Sequence, residues 1–395
     1  MNKMKRQGFS ALVAAITVLS LALSGCGQNA DTISSAVSGF AGGKGTTEDP
    51  YQISTVKQFD QVHEDLTASY VLTDDIDLSN VKFAPIGTFK PASDKEEDAE
   101  VPDETAAFSG TFDGAGHTVT GAALTGDTCT GLFGCVAGEK AGITNLTLKD
   151  CSAAGGQYTG AVIGYAYYNV KVDNITLIGN NNVAGTFLVG GIVGACHADV
   201  TNCTATANIT IDGDGAQGAG IIVGGQEDGN FQNCTASGNV TATGKGSYSI
   251  GGLAGCAQTS RYVKNCSVHD VTITVAENDF LVGALLGHAG QSADKDPTLV
   301  TDCSASNYTI NAGNGSQRIG GIVGGGFYTQ KFVQYYPEPN AFQIEYCTAQ
   351  GVVNGGSIVG SIAGYVYSNS KVDNCTGSDP QIGASLSDVP LSQLY

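Results

Sequence analysis

Tryptophan is absent from this 395-residue chain, methionine occurs twice, histidine five times, and charged residues make up only 14%. Each scarcity narrows the function. Without an indole, the broadest aromatic surface for stacking on a sugar ring is missing, which weakens a carbohydrate-platform reading. The histidines include no pair one helical turn apart. The nearest approach to a His-Glu-x-x-His zinc site, His63-Glu64-Asp65-Leu66-Thr67, lacks the second ligand, which argues against a zinc peptidase. Basic residues are few as well, 18 Lys+Arg against 37 Asp+Glu, and so acidic a surface repels phosphate backbones. Nucleic-acid binding is not expected.

The chain opens on a positive head, Lys3, Lys5 and Arg6, followed by an apolar run of 13 residues from Ala11 to Leu23. That run is too short to span a bilayer and reads as the core of a secretory signal. It closes on Leu23-Ser24-Gly25-Cys26, which resembles the bacterial lipobox, so Cys26 is the expected lipidated first residue of the mature protein. A diacylglyceryl anchor has two chains, enough for stable attachment. Residues 1–25 are then a lipoprotein signal peptide and 26–44, rich in Ser, Ala and Gly, a flexible tether. Removal of the signal leaves 15 basic against 37 acidic residues, a net of −22. The expected location is extracytoplasmic, attached through the lipid to the bacterial cell membrane.

What the chain has in abundance is glycine, 56 residues, and it is periodic. Near-copies of Gly190-Gly191-Ile192-Val193-Gly194 end at Gly134, Gly164, Gly194, Gly224, Gly255, Gly287, Gly324 and Gly364, first 30 residues apart and finally 40. Each block is trailed by a segment such as Val200-Thr201-Asn202-Cys203-Thr204-Ala205. A period in this range means stacked units, none able to bury its apolar face alone. Val200 and Cys203 both read as buried, which strict alternation forbids. A bend at Asn202 in a left-handed conformation permits it. Beyond the bend, Cys203, Ala205, Ala207, Ile209 and Ile211 alternate as one face of a strand. The expected fold is therefore all-β: a right-handed parallel β-helix of about eight repeat coils. Val56, Phe59, Val62 and Leu66, after Ser54 or Thr55 as N-cap, suggest a short N-terminal helix that caps the open end. Residues 45–128 form this capping region and the first coils, 129–376 the repeats, and 377–395 a tail.

Gly-Leu-x-Gly-type blocks at this spacing, each followed by a Val-x-Asn-Cys-Thr/Ser segment, resemble the GLUG repeats of bacterial surface proteins. Gly45-Thr46-x-x-Asp49-Pro50-Tyr51 and Phe108-Ser109-Gly110-Thr111-Phe112-Asp113-Gly114 resemble the N-terminal portions of such proteins. The resemblance spans residues 45 to 376, although Ala161-Val162-Ile163-Gly164 and Ser361-Ile362-Ala363-Gly364 depart from the pattern. It implies a cell-surface, often adhesive role and fixes no ligand.

The bend positions line up as Asn145, Asn174, Asn202, Asn233, Asn265, Asp302, Tyr346 and Asn374, a column in which amides can bond from coil to coil. Cys203, Cys234, Cys266, Cys303, Cys347 and Cys375 share the next slot with Leu146 and Ile175, which marks it as apolar core. For Cys129, Cys135, Cys151, Cys196 and Cys256 a disulfide stays open. No metal-ligand spacing and no cofactor motif is present. The acidic loop 91–104 has no calcium-ligand spacing and reads as solvated. A β-helix glycosidase would need paired carboxylates on adjacent coils; Asp173, Asp199 and Asp373 fall one per coil without basic company. A non-catalytic binding or adhesion scaffold is expected, with a passive envelope spacer as the alternative and a polysaccharide-active enzyme behind both. Two repeats are lengthened, one by Gln291 to Pro297 and one by an aromatic insert from Phe327. In that insert, Tyr328, Tyr335 and Tyr336 are the candidate contacts to an extracellular protein or glycan partner, with packing of the rings against the neighbouring coil as the alternative.

Overall fold

In the computed structural model, the described residues are 39–92, 101–258, 260–290, 296–326, 341–367 and 370–385. They form a parallel β-helix with a single short α-helix. The third repeat shows how a coil is built. Phe187–Gly190 lies in a seven-stranded sheet, Val193–Cys196 in a nine-stranded sheet, and Val200–Thr201 with Thr204–Ile211 in a sheet of 21 strands. Each strand pairs in parallel with its counterpart one coil away, and from Thr204↔Thr235 to Ile211↔Ala242 the register holds for eight residues. Register is strongly set because a slip of one residue would turn the apolar face outward.

The glycine block is a corner. Gly190 ends one strand, Gly191-Ile192 turns the chain, and Val193 opens the next. A Cβ on Gly194 would lie 2.5 Å from the backbone of Tyr158 and Thr159 and 2.6 Å from the Gly164 carbonyl, all in the preceding coil. Neighbouring coils approach backbone to backbone at this edge, which is why the glycine returns in every unit. Ile192 and Val193 project inward, and the core runs the length of the helix through residues such as Ile163, Val193, Val223, Leu286 and Val323.

All eight bend positions adopt the left-handed conformation, with φ from 51° at Asn374 to 57° at Asn233. Val200 and Cys203 are consequently both buried. The amide ladder is real but interrupted. Asn174 donates to Asn145 at 2.8 Å, Asn233 to Asn202 at 2.9 Å and Asn265 to Asn233 at 2.8 Å. Asn202, however, donates to Asp173 Oδ1 at 2.7 Å rather than to Asn174. A carboxylate one residue upstream is the stronger acceptor and takes the bond.

At the N-terminal end, Thr55 caps the helix Val56–Asp60, accepting from the Gln58 amide at 3.3 Å, while Gln58 Oε1 accepts from Ser54 N at 2.8 Å. The return bond reaches Ser54, the residue before the cap, rather than the cap amide that a capping box would use. The helix is shorter than its apolar spacing suggested: a 3-10 turn, Gln61–Glu64, replaces the second turn, and Leu66 lies beyond both. Phe59 and Val62 still bury completely in the end of the core, Phe59 against Phe83 at 5.1 Å and Phe112 at 5.6 Å. The ladder of coils begins at the start of the capping region, through Tyr51↔Tyr70, Tyr70↔Phe112 and Phe112↔Ile143. The acidic loop is pinched at its base, where Lys90 and Asp103 pair at 3.1 Å.

Candidate functional site

Cys26, Tyr328, Tyr335 and Tyr336 lie outside the described residues, as do 93–100 of the acidic loop and Gln291 to Lys295 of the other lengthened repeat. Among the described residues the concentration of aromatic surface lies elsewhere, on the outer face of the nine-stranded sheet. Along Ile163–Tyr167, Ile163 and Ala166 face the main core, while Tyr165 and Tyr167 point away from it into a second cluster. Tyr158 stacks on Tyr165 at 5.1 Å, and Phe89 meets Tyr165 edge-on at 5.7 Å. Tyr158 also neighbours Phe187 at 5.9 Å. His197 sits edge-on to Tyr167 at 5.6 Å, and Tyr168, 46% exposed, extends the cluster into solvent.

The backbone aims these rings. Tyr158 has φ 50° and Tyr168 φ 35°, conformations that bulky residues rarely adopt. Tyr158 belongs to a second left-handed column, with Leu188, Gly218, Ser249, Leu281, Arg318 and Ile358, which the corner geometry imposes on every coil. Tyr168 is followed by Asn169 at φ 61°, a tight reversal that leaves the Tyr168 ring outside. Burial among the rings lowers the His197 pKa to about 4, so its imidazole is neutral at neutral pH. Tyr158 and Tyr165 form the buried base of the cluster, and its accessible edge is the exposed Tyr168 with the half-buried Tyr167 and His197. Its signal in the sequence was the departure of Gln157-Tyr158-Thr159-Gly160 and Tyr165-Ala166-Tyr167-Tyr168 from their own repeats. In register with Tyr165, the neighbouring coils carry Cys135 and Ala195.

The corner carboxylates do have basic company, contrary to expectation. Lys171 pairs with Asp173 at 3.3 Å, and Lys371 pairs with Asp373. Residues two apart on a strand share a face, which the one-per-coil pattern had obscured. Partial burial works to raise the Asp173 pKa, but hydrogen bonds from Thr201 and Asn202 together with Lys171 hold it below the usual value. Asp199 accepts from the amide and side chain of Asn230, both at 2.9 Å, and staples two coils. Glu345 and Asp373 stand in register on adjacent coils, a carboxylate pair that the linear sequence hides. Both are half-buried at the edge of the last complete coil. Among the described residues no three His, Cys, Asp or Glu side chains gather closely enough to hold a metal ion.

None of the eleven described cysteines is in a disulfide, including Cys129, Cys135, Cys151, Cys196 and Cys256. Ile175 and Leu146 stack in register below Cys203, as expected of an apolar slot. Contact with the Cys234 sulfur and burial hold Cys203 well above the ordinary thiol value. Burial alone pushes Cys135 up to about 12.

The comparisons agree with this architecture. Residues 185–210 match the GLUG motif, so the chain carries the repeat that its glycine blocks resemble. A stretch of 175 residues, 42% of the chain, is 34% identical to halomucin of Haloquadratum walsbyi. The chain spans only 2% of the length of that relative. A crystal structure of a provisionally assigned immunoglobulin A1 protease from Bacteroides ovatus superposes with a TM-score of 0.51, over 70% of this chain and 86% of that one. At 21% identity this likeness concerns the fold alone.

Proposed function

We propose that the protein is a lipid-anchored, non-catalytic binding scaffold on the exterior of a bacterial cell, and that the Tyr167–Tyr168 edge of the aromatic wall is its contact surface. The observation that carries this reading is the emergence of Tyr168, 46% exposed, with the half-buried Tyr167 and His197 beside it, from a ring cluster seated on the outer face of the sheet. A rigid solenoid wall presents such rings with little ordering entropy left to lose on binding, and tyrosines combine apolar area with a hydroxyl for specificity. The GLUG motif and the local likeness to halomucin support a surface location. The lipobox residues ending in Cys26 support the anchor.

The partner is an extracellular protein or a glycan. Probing the ectodomain against immobilised glycans and matrix proteins tests this: a saturable ligand supports the scaffold, and none at all leaves a passive spacer. Cys26→Ala should release the protein from the membrane fraction or block its processing; unchanged attachment contradicts the anchor. A hydrolase reading would rest on Glu345 and Asp373. It requires turnover of a polysaccharide that Glu345→Gln abolishes.

A further inference from the structure

Six cysteines that lie 28 to 44 residues apart in the sequence, Cys203, Cys234, Cys266, Cys303, Cys347 and Cys375, become immediate neighbours in the fold. Each follows a left-handed bend residue, so all six side chains leave the backbone in the same direction. The flanking pairs Thr204↔Thr235, Thr235↔Ser267, Ser267↔Ser304, Ser304↔Thr348 and Thr348↔Thr376 hold them in register. Each thiol donates to the main-chain carbonyl two residues before it, at 3.1 to 3.4 Å, which orients all six sulfurs alike, and Cys303 Sγ also accepts from Cys266 N of the neighbouring coil at 3.4 Å. Five are buried, while Cys375 on the last coil is only half-buried. The column is therefore closed at the N-terminal side by Ile175 and Leu146 and, among the described residues, ends at the half-buried Cys375.

The spacing selects among the reactions open to paired thiols. A disulfide needs its sulfurs drawn to about 2 Å, with Cβ atoms turned toward each other. In-register side chains on parallel strands are instead held near the coil repeat of about 4.8 Å, with parallel Cα–Cβ bonds. Two metal–sulfur bonds of about 2.3 Å laid end to end span about 4.6 Å, close to that repeat. The cations that accept just two sulfur ligands are soft, thiophilic ones. With no cluster of three ligands among the described residues, a tetrahedral zinc site is ruled out there.

We propose that the thiol column is a binding site for soft two-coordinate metal cations, entered at Cys375 with the buried Cys347 as the second ligand. For a monovalent cation, the two S–H bonds are replaced by two S–metal bonds, two protons go to solvent, and the pair becomes a bis-thiolate of charge −1. That charge is tolerated best at the half-buried end, so Cys347–Cys375 fills before the deeper pairs. Because two protons are displaced, affinity rises with pH.

Anaerobic titration of the intact protein with Ag(I), a probe without redox chemistry under these conditions, tests the proposal. The expected result is one tight equivalent with ultraviolet sulfur-to-metal charge transfer, release of two protons, and a raised melting temperature. Cys375→Ser and Cys347→Ser should each weaken that equivalent at least about tenfold, while Cys151→Ser, a buried thiol outside the column, leaves it unchanged. Cys375, only half-buried, is the variant that retains the fold. Equal affinity in Cys375→Ser, release of a single proton, or uptake only as the chain unfolds with a lowered melting temperature would each overturn the proposal.

Discussion

Replacing Gly194 by alanine perturbs the corner at its tightest point. The added methyl would stand 2.5 Å from Tyr158 C and Thr159 N and 2.6 Å from Gly164 O, all backbone atoms of one neighbouring coil. No side chain can rotate away, so the third coil must lift from the second. Three hydrogen bonds cross at this corner: Ala161 N to Gly191 O at 2.9 Å, and Val162 N and Ile163 N to Ile192 O at 3.1 and 3.0 Å. Overpacking costs about 1–3 kcal/mol, and each strained hydrogen bond adds a net share of about 0.5–1.5 kcal/mol. A loss of about 3 kcal/mol or more is expected. Gly39, with nothing within 4 Å of its Cβ position, is the control. Urea unfolding followed by circular dichroism should show Gly194→Ala well below the wild type and Gly39→Ala at its level. Hydrogen exchange should locate the loosening in the second and third coils, since each unit depends on its neighbours. A Gly194→Ala protein as stable as Gly39→Ala would refute the backbone-contact account of the repeat.

Two further outcomes follow from buried polar groups. Asp279, fully buried, accepts from Ser247 N at 2.7 Å and Ala276 N at 2.8 Å, and burial raises its pKa to about 6. A folded pKa above the unfolded one stabilises the fold below the unfolded value, and this contribution is lost as pH rises through about 6. Asp279→Asn should remove that component between about pH 4 and 7, and an unaltered urea-midpoint profile in the variant would contradict it. Cys303→Ser places a hydroxyl in the apolar column and should cost about 1–3 kcal/mol; thiol titration should find the five buried column cysteines, Cys203 to Cys347, protected until denaturant is added and the half-buried Cys375 reacting first.

The period, the corner glycines and the bend asparagines were legible because each reflects a local backbone demand repeated in every coil. The second left-handed column was not. Its residues are Tyr158, Leu188, Ser249, Leu281, Arg318 and Ile358, with glycine only at Gly218, so residue type gives no sign of a conformation imposed by packing. The aromatic wall was overlooked for a related reason. Tyr165 and Tyr167 alternate with inward residues and look like core until the sheet is seen to have a covered outer face. Pairings such as Lys171–Asp173 and Glu345 beside Asp373 depend on strand and register, which a one-per-coil count cannot supply.

The central claim, recognition by the aromatic wall, meets its most direct test in one binding measurement. The half-buried Tyr167 and the exposed Tyr168 can be replaced together, Tyr167→Ser with Tyr168→Ser, without opening the main core. Calorimetric titration of the ligand found by screening should show binding weakened at least about tenfold, or about 1.4 kcal/mol, at an unchanged melting temperature. Full affinity in the double variant would place recognition elsewhere on the molecule and contradict the claim.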